Sequence, residues 1–230
     1  MTSLRRPFVY SSLLIATWCS SAQVMAAQTN PLQNKLEAEV TATSNYVWRG
    51  VALSADAALQ GKVSVLDPSG IHADFFTSNV TGGTELDITA GYNGRAEMFN
   101  YDIGGKLYYL PQYESSNFVE IFVGITIGAF GAKVSLSPDS GTYLEGHVTL
   151  PALEYWDLTL HAGHYAIDED DRGVTIARED YIDFSAAVSR VYDGMRVEFK
   201  ITGTNLDDNE AMLPTDNFRT IVSLSKKFQP

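Results

Sequence analysis

The chain has 230 residues, 45% of them apolar, and a formal net charge of −12, enough for one large domain with a sizeable buried face. With 28 acidic against 16 basic side chains it has no basic stripe for phosphate, which argues against nucleic acid as a partner. A single cysteine, Cys19, excludes a disulfide-stapled scaffold.

Residues 1–27 read as a secretory signal peptide. Arg5 and Arg6 form the positive end, Phe8 to Trp18 the apolar stretch, and the small residues ending at Ala26 or Ala27 the cleavage site. Trp18 is too bulky for lipoprotein processing at Cys19, and cleavage after Ala26 or Ala27 removes that cysteine. The remainder, 28–230, reads as one domain. It holds no run of about 18 apolar residues, so no spanning helix is predicted; a spanning strand needs only about 10 alternating residues.

From Leu36 onward the hydrophobic period is two, the period of strands. The first predicted strand, 36–47, puts Leu36, Ala38, Val40, Ala42, Tyr46 and Trp48 on one face and Glu37, Glu39, Thr41, Thr43, Asn45 and Arg49 on the other. In a membrane barrel the first set meets lipid, with Tyr46 and Trp48 at the outer boundary where amphipathic rings are favoured. Arg49 then points into the lumen, because an arginine facing lipid near the midplane costs about 2–4 kcal/mol. Strand 57–66 turns Lys62 inward, and strand 70–80 His72 and Asp74. Strand 84–93 opposes Glu85 and Asp87 to Leu86, Ile88, Ala90 and Tyr92, with Tyr92 a further interface aromatic. Strand 98–109 turns in Asp102 and Lys106, strand 118–127 Glu120, strand 129–137 Lys133, and strand 141–150 Glu145 and His147. Strand 155–165 carries Trp156 at the interface and Asp157 and His161 inside; strand 180–190 contributes Asp183. In strand 194–204 Met195, Val197, Phe199 and Ile201 oppose Arg196, Glu198, Lys200 and Thr202. The last strand, 218–228, ends with Val222, Leu224 and Phe228 on one face, a terminal aromatic of the kind barrel assembly machinery reads, here followed by Gln229 and Pro230.

Turn chemistry separates these segments: Asp67-Pro68-Ser69-Gly70, Thr81-Gly82-Gly83, Asn93-Gly94, Pro138-Asp139-Ser140-Gly141 and Tyr192-Asp193-Gly194. The long connections, 48–56, 110–117, 166–179 and 205–217, all follow odd-numbered strands. That asymmetry is the one outer-membrane barrels show, with short periplasmic turns and longer external loops. The prediction is an all-β fold, a transmembrane antiparallel up-and-down barrel of about 12 strands. A soluble sandwich could not bury so many inward charges, each unpaired ion costing several kcal/mol, whereas a hydrated or salt-bridged lumen holds them.

The stretches "SNYVWRGV", "ALQG", "ADFFTSNV", "ELDITAGY", "AKVSLSPD" and "IVSLSKKF" resemble the TorF family of porins, also known as the Gcw_chp family of bacterial outer-membrane proteins of uncertain function. The likeness spans most of 36–228. It departs at 51–58, where this chain has Val51-Ala52-Leu53-Ser54 in place of more polar residues. The resemblance implies a Gram-negative outer-membrane barrel and a pore; it implies no catalytic residue and no substrate.

No enzyme emerges. His161 and His164 fall on opposite faces of one strand and cannot share an ion without a bulge. His147 and His161 share the inward face of neighbouring strands. The acidic 168–173 segment breaks the EF-hand pattern at Arg172 and reads as a solvated loop; residues 206–210 read likewise. No cofactor or metal is predicted. The functional expectation is a porin-like channel for small hydrophilic solutes or ions, weakly cation-preferring because inward carboxylates outnumber cations. The alternative is a closed structural or adhesive barrel with a salt-bridged lumen and partner-binding external loops. Expected partners are outer-membrane lipid, lipopolysaccharide and, during insertion, the assembly machinery; nothing marks a subunit interface.

Overall fold

A computed structural model describes residues 35–113, 117–167, 179–206 and 218–229. The proposed signal peptide, Cys19 and the acidic loop segments 168–173 and 207–210 lie outside them. Twelve long strands form the barrel: β1 (Lys35–Thr43), β4 (Ala58–Leu66), β5 (Ile71–Val80), β6 (Gly83–Ala96), β7 (Phe99–Tyr109), β8 (Phe118–Ile127), β9 (Phe130–Ser137), β10 (Gly141–Leu153), β11 (Trp156–Ala166), β12 (Tyr181–Tyr192), β13 (Met195–Thr204) and β14 (Phe218–Phe228). Each pairs antiparallel with its sequence neighbour, and β1 closes the ring on β14, from Ala38 opposite Phe228 to Thr43 opposite Ser223. Closure leaves no barrel strand with an unpaired edge, the condition for backbone in hydrocarbon.

The pleat sorts the side chains as alternation predicts. On the outside stand Ile88, Ile121, Leu144 and Ile201, each more than half exposed, while Glu85, Asp87 and Glu120 inside are 3% exposed or less. This inverts the arrangement of a soluble protein and suits a barrel with hydrocarbon outside. The short connections close at one end. At Asp193-Gly194 both residues have positive φ, 49° and 70°, with Tyr192 opposite Met195, so this is a two-residue type I′ hairpin. At 67–70 the Asp67 carboxylate accepts a hydrogen bond from the Ser69 backbone N–H at 2.8 Å. Hydrogen bonding to the Ser69 side chain and backbone holds the Asp67 carboxyl below its ordinary range.

The loop end departs from expectation in one place. The first strand stops at Thr43, not at 47, and residues 46–54 turn inward. They form a separate two-stranded hairpin, β2 (Val47–Trp48) with β3 (Val51–Ala52), that pairs with no barrel strand.

Candidate functional site

The inward hairpin makes its own turn. Trp48 and Val51 stand opposite each other, and the two residues between, Arg49 and Gly50, have φ of 47° and 78°, again a type I′ turn. Left-handed backbone costs a non-glycine residue about 1 kcal/mol, so the Arg49 side chain must secure what its backbone disfavours. Its Nη2 lies 2.7 Å from Glu120 Oε1 and donates to Oε2 at 2.9 Å. The guanidinium carbon sits 4.2 Å from the Trp48 ring centroid, 4.1 Å from Tyr143 and 4.9 Å from Tyr165. An ion pair desolvated this fully is far less screened than one in water, and ring faces favour the cation. Tyr108 Oη also donates to Glu120, at 3.1 Å.

Gly50 rests on the far wall. A Cβ there would fall 2.6 Å from Asp183 Cβ on β12 and would collide with Thr204 Cγ2 on β13. Around the ring, β12 and β13 lie four and five places from β8, which carries Glu120. The Arg49–Gly50 tip therefore spans most of the barrel's width, touching nearly opposite walls.

Above it, toward the loop end, inward aromatics form an apolar cluster. Trp48 packs edge-on against Tyr108, Phe118 and Tyr165 at centroid distances of 5.6, 6.1 and 6.1 Å, and Tyr108 stacks on Phe118 at 4.3 Å. Tyr46 donates to Glu85 at 3.3 Å. Tyr46 and Trp48 were expected at the lipid boundary; they are 2% and 3% exposed inside the barrel. The alternation that placed them outside ends at Thr43, and the hairpin folds the chain back through the mouth.

Below the hairpin a cavity of about 70 Å³ lies along β10–β13. Space remains there because the inward side chains of β12 after Asp183 are small: Ser185, Ala187 and Ser189. Charged groups border it, Arg49 at the hairpin, Glu145 and Asp183 on β10 and β12, and Arg196, Glu198 and Lys200 on β13. Across the ring the space is filled by long paired side chains, Lys106 Nζ 2.8 Å from Asp87 Oδ2, while at the cavity's own edge Lys133 Nζ on β9 lies 2.6 Å from Glu145 Oε1. Nearer the turn end Lys62 lies 3.1 Å from Asp74, and His72 bridges Asp74 and Asp102 at 3.6 and 2.9 Å.

All the charged residues assigned inward from sequence point inside. Arg49, Glu145, Asp183, Arg196, Glu198 and Lys200 meet at the cavity. Lys62, Asp74, Glu85, Asp87, Lys106 and Glu120 stand on the walls away from it, and Lys133 at its edge. His161, opposite His147 in register, sits between Glu145 (3.6 Å) and Asp183 (3.5 Å), while His164 points outward. Of the interface aromatics, Tyr92 and Phe228 are outside, 43% and 52% exposed, and half-buried Trp156 lies 6.4 Å from Phe199.

Sequence reasoning missed the hairpin. Its available signal was the parity of Tyr108, Phe118, Tyr143, Tyr165 and Tyr181, all inward near the loop end. Such a ring of aromatics needs an apolar partner, and only a loop folded inward supplies one.

The barrel resembles solved outer-membrane proteins in fold. A structure described as "KdgM porin" superposes with a TM-score of 0.58 at 9% identity, covering 84% of this chain and 99% of that one. "NanC porin" gives 0.55 at 11% identity, over 85% and 99%. Omp33, an outer membrane protein of Acinetobacter baumannii, gives 0.51 at 6% identity, over 87% and 100%. No curated protein matches the chain by sequence. Residues 26–228 match Gcw_chp, described as bacterial protein of unknown function, and the chain belongs to that family.

Proposed function

We propose that the protein is an outer-membrane channel passing small hydrophilic solutes or ions along the β10–β13 wall, beneath and past the inward hairpin. The observation that carries this is the polar cavity left by the small residues of β12 and bordered by charges of both signs. Two further features support it: the apolar exterior, and the porin names borne by the structural neighbours. The same reading includes export by the 1–27 signal, the TorF affiliation, insertion by the assembly machinery and contact with lipid and lipopolysaccharide. Inward carboxylates outnumber cations, but at the cavity Glu145, Asp183 and Glu198 face Arg49, Arg196 and Lys200. Any cation preference is therefore weak.

A second reading has its own observation. The hairpin tip crosses the lumen, and Lys106–Asp87, Lys133–Glu145 and Arg49–Glu120 are closely paired inside, as a closed, salt-bridged barrel acting through its external loops would require. Single-channel recording in a planar bilayer under a salt gradient separates the two. Discrete steps with a slightly cation-leaning reversal potential are expected; silence from folded, inserted protein overturns the channel.

A further inference from the structure

The hairpin's two stems are fastened. Ser44 N donates to Val222 O at 2.9 Å and receives Val222 N on its hydroxyl at 3.1 Å. On the other side Thr81 N donates to Leu53 O at 2.8 Å, and Ala55 N to Thr81 Oγ1 at 2.9 Å. Between these stems β2 and β3 pair only with each other, so the hairpin can swing without breaking a rung of the barrel ladder. Its tip is held by side chains: Arg49 Nη2 on Glu120, the Trp48 ring among Tyr108, Phe118 and Tyr165, and Tyr46 on Glu85. The strongest of these is the charged one, in which the single Nη2 of Arg49 reaches both Glu120 oxygens, and it joins the tip to the barrel wall.

We propose that residues 45–52 are a gate and that Arg49 with Glu120 is its latch: latched, the hairpin confines the lumen to the β10–β13 lane; released, it swings toward the loop end and widens the path. The left-handed backbone at Arg49 fits this role, since it is a strained conformation retained while the pair is made. This inference rests on the channel reading, so its test needs a readout independent of conduction.

That readout is the reaction of a buried thiol. In a Cys19→Ser background, full-length protein purified in detergent and reconstituted into vesicles carries Val51→Cys, a position 1% exposed in the latched hairpin. Labelling by a membrane-impermeant maleimide is expected to be slow, and to accelerate at least about tenfold when Glu120→Gln removes the charged acceptor. Arg49→Lys, which keeps the charge but loses the planar guanidinium packed on Trp48, Tyr143 and Tyr165, should accelerate it less, and provides the test if Glu120→Gln does not fold. Glu37→Gln, an inward carboxylate at the turn end of the barrel where it pairs with Lys227, should leave the rate unchanged. Unchanged labelling in both latch variants, with heat-modifiable gel migration intact, overturns the latch whatever the conductance. Current recorded from the same vesicles keeps the two readings apart. Faster labelling with no current in any variant leaves the gate standing and removes the channel. Steps in the parent with unchanged labelling do the reverse.

Discussion

At Gly50 one hydrogen atom in place of a methyl decides whether the hairpin can seat. Gly50→Ala would put a Cβ onto Thr204 and Asp183 in a backbone region that L residues resist. We expect it to destabilise the folded barrel by about 1–3 kcal/mol, read as a lowered midpoint in guanidinium unfolding from vesicles. Lys106 illustrates a different dependence. Its ammonium, 5% exposed, is 2.8 Å from Asp87, and Glu85 stands beside them at 2% exposure. Lys106→Met would strand two carboxylates without their cation, and a loss of about 3 kcal/mol is expected. Adding Asp87→Asn should recover part of it, because the buried charge then goes too; failure of the double variant to recover would contradict the pairing.

At the scale of the strand, polarity is set by parity, and a one-residue change of face reverses the cost of a substitution. Ile88 and Asp87 are neighbours on β6, one 54% and the other 1% exposed. Ile88→Arg should cost about 2–4 kcal/mol in vesicles, because the charge enters hydrocarbon near the middle of the strand. Measuring the same variant in short-chain detergent, where the head group reaches water more easily, should shrink the penalty. The strand assignments were legible because this parity is strict from Leu36 to Thr43 and again in β6, β12 and β13. Continuing it through Tyr46 and Trp48 failed because alternation is necessary for a strand but does not say where the strand stops. The Arg49-Gly50 turn lacks the Asn or Asp that usually announces a type I′ hairpin, so nothing local flagged the reversal.

For the whole molecule the distinction that matters is between wall charges and cavity charges. Glu85 and Asp87, inward carboxylates by sequence, stand buried on the filled wall, Asp87 paired with Lys106 and Glu85 hydrogen-bonded by Tyr46, whereas Glu198 borders the cavity. Glu198→Lys is therefore expected to move the reversal potential toward anions, and Glu85→Gln to leave it where it was. A shift of equal size from Glu85→Gln would mean that the solute path follows β6, not β12 and β13.

The sequence by itself determined the class of fold, the twelve strands, their order and which side of each faces inward. Each follows from a local period of two and from turn residues at its breaks. The tertiary structure alone decided where the interior is filled and where it is empty. That depends on which inward side chains meet across the ring, Arg49 with Glu120 from a loop and a wall far apart in the chain, and on the small face of β12 opposing no bulky partner. Contacts made through a closed ring arise from closure itself, and no window of sequence contains them.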